Sequence, residues 1–408
     1  MLELPRGLFG REFRLLFAGQ AASLLGDGLF HVALAFAVLD ATDSERALGV
    51  VFAAGALPLV VFSLVGGVWA DRLERRKVML AADVARMVVQ LALAALVLRG
   101  DVELWHFLAL QAAYGTAQAF FGPASTGMLP QILDEHLLRP ANGLLGATRA
   151  ATYIVGSALG GLMVDQLGAG EAIGIDAVTF AASAVCLLAM RSRPVTATER
   201  TPFRHELAEG FRELRRHRWL WLTLINASAF VTLYVAPVEV LGPVVARDDL
   251  GGALAWGIIA AAFAVGEIVG GIAMATVRVR RPMVLSGLLF LVTGLTPVLF
   301  AVAAPVWAIA GGMAVEGLAV GIFLAVWEGE IQRQIPLDRI SRVSAWDWMA
   351  TLAGMPLGFV LAGVLAGGIG VDRTLYLTAA AGLLLAVWML LVRDIRTIGA
   401  RERVAGER

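Results

Sequence analysis

The chain alternates between long apolar runs and short polar turns. Twelve runs are legible, at 13–39, 47–70, 77–98, 104–129, 140–165, 171–190, 219–245, 254–277, 283–303, 305–331, 343–368 and 373–392. At about 20 residues or more, each is long enough for a helix to cross a hydrocarbon core of about 30 Å. A soluble chain with such runs would expose far too much apolar surface. The pattern therefore predicts an all-α membrane protein of twelve transmembrane helices. The longest polar stretch, 191–218, separates an N-terminal six-helix bundle (1–190) from a C-terminal six-helix bundle with a basic tail (219–408). Within it, Phe203, Leu207, Phe211 and Leu214 share one helical face opposite charged residues, which predicts an amphipathic helix lying on the membrane surface.

Composition agrees and adds little. The 408 residues are 59% hydrophobic and 16% charged, with a mean hydropathy of +0.77, against about half and a quarter in soluble domains. The single cysteine, Cys186, lies in an apolar run and excludes an internal disulfide or a thiolate metal cluster. Residues 1–14 are of mixed character and lead into a full-length run, so no cleavable signal is expected. No cofactor, metal or nucleic-acid partner is expected, and a monomer is compatible with this organisation.

Charge gives the orientation. Alternate turns, with the termini, carry 27 Arg and Lys on one side and 4 on the other. The positive-inside tendency puts the heavy side, with both termini, in the cytoplasm, and the inner membrane of the cell is the expected location. The densest turn, "GGVWADRLERRKVML" at 66–80, has a weaker echo in "GGIAMATVRVRRPMVLSG", 204 residues on from Gly67 to Gly271. The second copy has Ala275 and Thr276 in place of Asp71 and Arg72. Weak internal symmetry of this kind marks transporters built from repeated halves.

These residues resemble the signature of the major facilitator superfamily, G-x-x-x-D-R-x-G-R-R-[RK], through Gly67, Asp71, Arg72, Arg75, Arg76 and Lys77; Glu74 stands where many members have Gly. The whole chain is similar to the drug-efflux group that includes macrolide, multidrug and siderophore exporters. The stretches "FRLLFAGQAASLLGDGLF", "PANGLLGATRAATYIVGSALGGL" and "WEGEIQRQIPLDRISRVSAWDWMATLAGMPLG" carry that likeness. Span 5 departs from it: Gly156, Gly160 and Gly161 keep the glycines of the antiporter motif without its proline. The resemblance implies two pseudo-symmetric halves around a central cavity lined by spans 1, 4, 7 and 10. It also implies a switch contact from Asp71 to an arginine, with Arg339 and Arg342 as candidates.

Ionisable groups at mid-membrane cost about 3 kcal/mol or more and mark function. Asp27 is the leading candidate. Gln20, Ser23, Asp27 and His31 share one face of span 1, and Asp27 and His31 are within pairing reach and suited to proton exchange. Glu316 in span 10 and Glu267 in span 8 follow. Arg149 in span 5 is expected to be the only basic group well inside, while Asp176 and Glu239 rank lower, near the outer ends. Gln111, Tyr114 and Gln118 form a polar stripe on span 4 suited to an aqueous cavity. The expected function is proton-coupled efflux of drug-like or secondary-metabolite small molecules; the alternative is a facilitator or uptake transporter for a nutrient or lysolipid. No nucleotide-binding loop or H-E-x-x-H occurs, which argues against direct ATP use and against a membrane enzyme.

Overall fold

A computed structural model describes residues 8–191, 203–277, 279–336 and 339–398, without the side chains at 64–72, 203–208, 293, 340–342 and 345. All described secondary structure is helical: α1 (Arg11–Thr42), α2 (Glu45–Arg72), α3 (Arg75–Arg99), α4 (Leu104–Ile132), α5 (Glu135–Gln166), α6 (Ala169–Ala189), α7 (Phe203–Arg216), α8 (Arg218–Phe230), a π turn (Val231–Val235), α9 (Ala236–Asp249), α10 (Ala253–Thr276), α11 (Pro282–Thr293), α12 (Thr296–Ala301), α13 (Val306–Gln334), α14 (Ile340–Ala353), α15 (Met355–Ile369), α16 (Val371–Leu391) and α17 (Arg393–Arg396). Helices satisfy every backbone group internally, which lipid demands. Ten stretches among the described residues are long and apolar enough to cross a membrane. The expected twelve requires counting α4 and α5 as well, of 29 and 32 residues.

Three apolar runs are interrupted, each near a proline. Proline lacks the N–H that would bond the carbonyl four residues back. Run 7 passes through the π turn before Pro237. Run 9 breaks at Gly294 and Leu295, just before Pro297. Run 11 breaks at Gly354, just before Pro356.

By contact the chain divides into two units, Met1–Glu199 with Gly252–Gly257, and Arg200–Gly251 with Ile258–Arg408. In the first, α1 packs on α5 and α6, α2 on α4, and α3 on α4 and α6. Glycines bring two of these pairs into backbone contact. A Cβ on Gly115 of α4 would strike the Gly55 carbonyl of α2, and one on Gly156 of α5 would lie 2.6 Å from the Leu25 carbonyl of α1. The second unit repeats the device. Gly317 and Gly321 of α13 lie on the backbone at Phe263 and Glu267 of α10, and Gly266 and Gly270 face back. Such small-xxx-small spacing allows the close approach that drives helix association in lipid. Outward faces carry Val178, Val185 and Leu188 on α6 and Leu384 and Leu391 on α16, each more than half exposed to what would be lipid.

The linker helix α7 has a protein partner. It packs against α14 and α8 of the second unit rather than lying only on lipid. Leu214 joins that unit's core, and the Phe211 ring is 5.1 Å from Trp346. Phe203 and Leu207 have side chains outside the described ones.

Candidate transport site

In the first unit, α1, α3, α4 and α6 bring together a polar cluster within the apolar bundle. Asp27, midway along α1, accepts a hydrogen bond from the Tyr114 hydroxyl of α4 at 2.5 Å. Two turns earlier, Gln20 donates to Ser125 at 2.6 Å. On α3, Asp83 and Arg86 form an ion pair with side chains 0% and 3% exposed. The Ser183 hydroxyl donates to the second Asp83 oxygen at 2.6 Å. The Arg86 guanidinium lies 4.4 Å from the centre of the Phe121 ring and 4.3 Å from that of Phe180, where a weakly hydrated planar cation gains from two π faces. One turn on, Gln90 donates to Asp176 of α6 at 2.7 Å, and Asp176 is fully buried. Three carboxylates therefore share the interior with one buried guanidinium, and Asp27 interacts electrostatically with Arg86, Asp176 and Arg149.

The second unit has a smaller counterpart. Glu316 of α13 is 3% exposed and accepts from the Tyr234 hydroxyl at 2.8 Å. Tyr234 sits on the π turn, fully buried, its ring stacked 4.7 Å from Phe230. Inserted π turns re-aim side chains and are frequent at functional sites. Under the 204-residue offset, Asp27 corresponds to position 231 at the start of the π turn, and Tyr114 to position 318, two residues past Glu316. The acid–phenol pair thus recurs between corresponding helices with its members exchanged.

A family model described as "Transmembrane secretion effector" matches residues 8–408. The chain belongs to that family. Members of the transmembrane secretion effector family are transporters of the major facilitator superfamily, not enzymes, and this member is a multi-pass membrane protein. Among its relatives is macrolide efflux protein A of Streptococcus pyogenes, 24% identical over 403 residues, covering 95% of this chain and 97% of the relative. Another is the multidrug efflux pump Tap of Mycobacterium tuberculosis, 30% identical over 379 residues, covering 90% and 89%. Solved structures that share the fold include two transporters. The nucleoside transporter NupG has a TM-score of 0.73 at 14% identity, covering 93% of this chain and 98% of that one. A bacterial homologue of the iron transporter ferroportin, in its inward-facing state, has a TM-score of 0.67 at 20% identity, covering 92% and 97%.

Within this secretion effector the predicted residues fall unevenly. Asp27, Tyr114 and Gln20 belong to the first cluster, and Ser23 donates to the Gln20 carbonyl beside it. Gln111 is buried against Gly55, and Gln118 is half-buried. The His31 ring stacks 5.9 Å from Phe52 and 6.4 Å from Tyr153. Glu316 has its own tyrosine, and Glu267 is half-buried on α10.

The expectation for Arg149 is corrected. Arg149 is exposed, and the buried base is Arg86, at 2%. An arginine inside an apolar run was the available signal, and Asp83 one turn before it marked the pair. Asp176, ranked low, is among the most buried carboxylates. Asp347 also went unsingled; it accepts from Trp327 Nε1 at 3.1 Å.

The basic turn has a local structural role. Arg75 donates to the Gly127 carbonyl of α4, and Arg76 to the Met190 carbonyl that ends α6, where cations complement a helix C-terminus. Glu74 pairs with Lys77 at 2.8 Å and with Arg76 at 3.5 Å. The surroundings of Gly67 and the side chains of Asp71, Arg72 and Arg342 lie outside what the structure describes. Arg339 hydrogen-bonds Glu213 of α7 at 2.6 Å.

Proposed function

We propose that this secretion effector is a proton-driven exporter of amphiphilic, cationic or neutral drug-like small molecules, working by alternating access between two six-helix halves in a cell membrane with both termini cytoplasmic. The acid–tyrosine pairs carry the reading: Asp27 with Tyr114 in one half, Glu316 with Tyr234 in the other. A carboxylate at mid-membrane is costly while charged and inexpensive once protonated. A phenol is suited to hold it in either state. It donates to the carboxylate, and it remains bonded when the other carboxyl oxygen takes the proton. Such a group can load a proton when open to one side and lose it when open to the other, so that the return step is driven by the gradient. The efflux proteins among the relatives support the outward direction.

The test uses proteoliposomes with an imposed pH gradient, a trapped pH dye, and candidate amphiphilic cations and macrolides. Substrate-induced proton flux is expected in the wild type and is expected to vanish in Asp27→Asn. Flux surviving that change but lost in Glu316→Gln moves the carrier to the second half. Substrate movement with no proton flux overturns the coupling and leaves a facilitator.

A further inference from the structure

We propose that Asp176 is a second proton-binding carboxylate of the first unit, its protonation coupled through charge to that of Asp27 beside the glycine contact between α1 and α6. The proposal rests on the proton-coupled reading above and extends it to a residue outside the expected set.

Charge matching in the cluster is unequal. Asp83 has Arg86 as an ion-pair partner and Ser183 as a second donor, so it is satisfied as an anion. Asp176 is just as buried, but its hydrogen-bond partners are neutral: the Gln90 amide at 2.7 Å and the Thr179 hydroxyl at 3.3 Å. An ionised carboxylate in low dielectric without its own cation is expensive, and a bound proton removes that cost.

The second acid is adjacent. A Cβ on Gly26 would collide with both the Asp176 carboxylate and the Thr179 hydroxyl, and Gly26 immediately precedes Asp27. Two carboxylates in one apolar site do not ionise independently; their protons belong to the pair. The charged and titratable groups around them are Asp83 and Arg86 on α3, Tyr114 on α4, Arg149 on α5 and, one turn on from Asp27 along α1, His31. Asp27 is half-buried and Asp176 fully buried, so Asp27 is the member through which the proton enters and leaves. The coupling runs through charge: when one carboxyl O–H is lost, the negative charge left behind makes ionising the other more costly.

An independent observation is an unmet acceptor. Gln90 is 0% exposed, and while its Nε2 donates to Asp176, its Oε1 has no partner among the described residues. Buried orphan atoms call for a missing partner. A carboxylic acid supplies it, because acid and primary amide form reciprocal bonds: N–H to carbonyl one way, O–H to amide oxygen the other. Metal-ligating side chains do not converge in groups of three among the described residues, so the cluster suits a proton rather than a metal ion.

Infrared difference spectroscopy of the reconstituted protein across a pH titration tests this, reading the C=O stretch of protonated carboxylic acids. Part of that band is expected to disappear in Asp176→Asn. In Asp27→Asn, which keeps Asp176 intact, the pH at which the remaining band is lost is expected to shift. A band unaltered in Asp176→Asn overturns the assignment, and an unshifted titration in Asp27→Asn overturns the coupling even if Asp176→Asn fails to fold. In proteoliposomes, Asp176→Asn is expected to lose pH-driven substrate accumulation; wild-type pH dependence in that variant makes Asp176 structural only. Absence of proton flux in the wild type would instead sink the proposed function, and the infrared result stands apart from it.

Discussion

Removing Arg86 tests how the first unit tolerates charge. The side chain is 3% exposed, ion-paired to Asp83 and held between Phe121 and Phe180. Breaking a buried ion pair from one side costs about 3–5 kcal/mol, because the surviving charge is left uncompensated. Losing the two ring faces adds about 0.5–2 kcal/mol for each desolvated contact. Arg86→Met is therefore expected to destabilise by about 4 kcal/mol or more, and Asp83→Leu by about 3–5 kcal/mol for the same reason of one stranded charge. The double variant strands neither partner. What remains is the unmet Ser183 hydroxyl, about 1–3 kcal/mol, the two lost ring contacts, and Asp27 without its neighbouring cation. The ring and Asp27 contributions cancel in the double-mutant cycle, which should thus show a coupling of at least about 3 kcal/mol in favour of the pair. Denaturant unfolding in mixed micelles followed by circular dichroism measures it, with Arg99→Gln, at the exposed end of α3, as the control expected to change stability by less than about 1 kcal/mol. Additive single effects would refute the idea that Asp83 and Arg86 neutralise each other.

Tyr234→Phe removes the 2.8 Å donor to Glu316 and should lower stability by about 1–3 kcal/mol by stranding a buried acceptor; an unchanged melting temperature would contradict this. Gly115→Val should prevent stable insertion, since even a Cβ meets the Gly55 carbonyl. Gly122→Ala, where nothing lies within 4 Å, should be tolerated or gain about 0.5–1 kcal/mol; expression with size-exclusion profiles separates the two. Burial pushes Glu213 up, but hydrogen bonds from Arg339 and His217 and the charges of Arg339 and Arg216 leave it below its ordinary value of 4.5. Its contribution to docking α7 is present above that value and is lost as the pH falls through the lowered one. Proteolysis within 191–218 should accelerate only in that acid window, and Arg339→Gln should give faster cleavage already at neutral pH.

Much of the candidate site was visible in the sequence as single residues. Asp27 and Glu316 stood out because a carboxylate in an apolar run needs a reason, and Tyr114 because it shared a face with two glutamines. Their partners did not stand out. Tyr114 and Asp27 are 87 positions apart, and Tyr234 and Glu316 are 82 apart, while helical spacing informs only on neighbours three or four positions away. That limit let the sequence offer only His31, four positions on, as a local companion of Asp27. It also left Asp176 undervalued, because depth along a run says nothing about which helix covers it.

By itself the sequence determined that this is a helical membrane protein, where its apolar runs lie, and that a carboxylate inside such a run needs a reason. Run length against bilayer thickness and the cost of charge in lipid are one-dimensional constraints, so a one-dimensional string can state them. Only the tertiary structure decided that Arg86 and not Arg149 is the buried base, that Arg339 binds the linker helix, and that Asp176 lies against the backbone beside Asp27. Each of these depends on which helix faces turn toward each other. Glycine contacts between helices set those faces, and the identity of a glycine's partner is not written beside it in the chain.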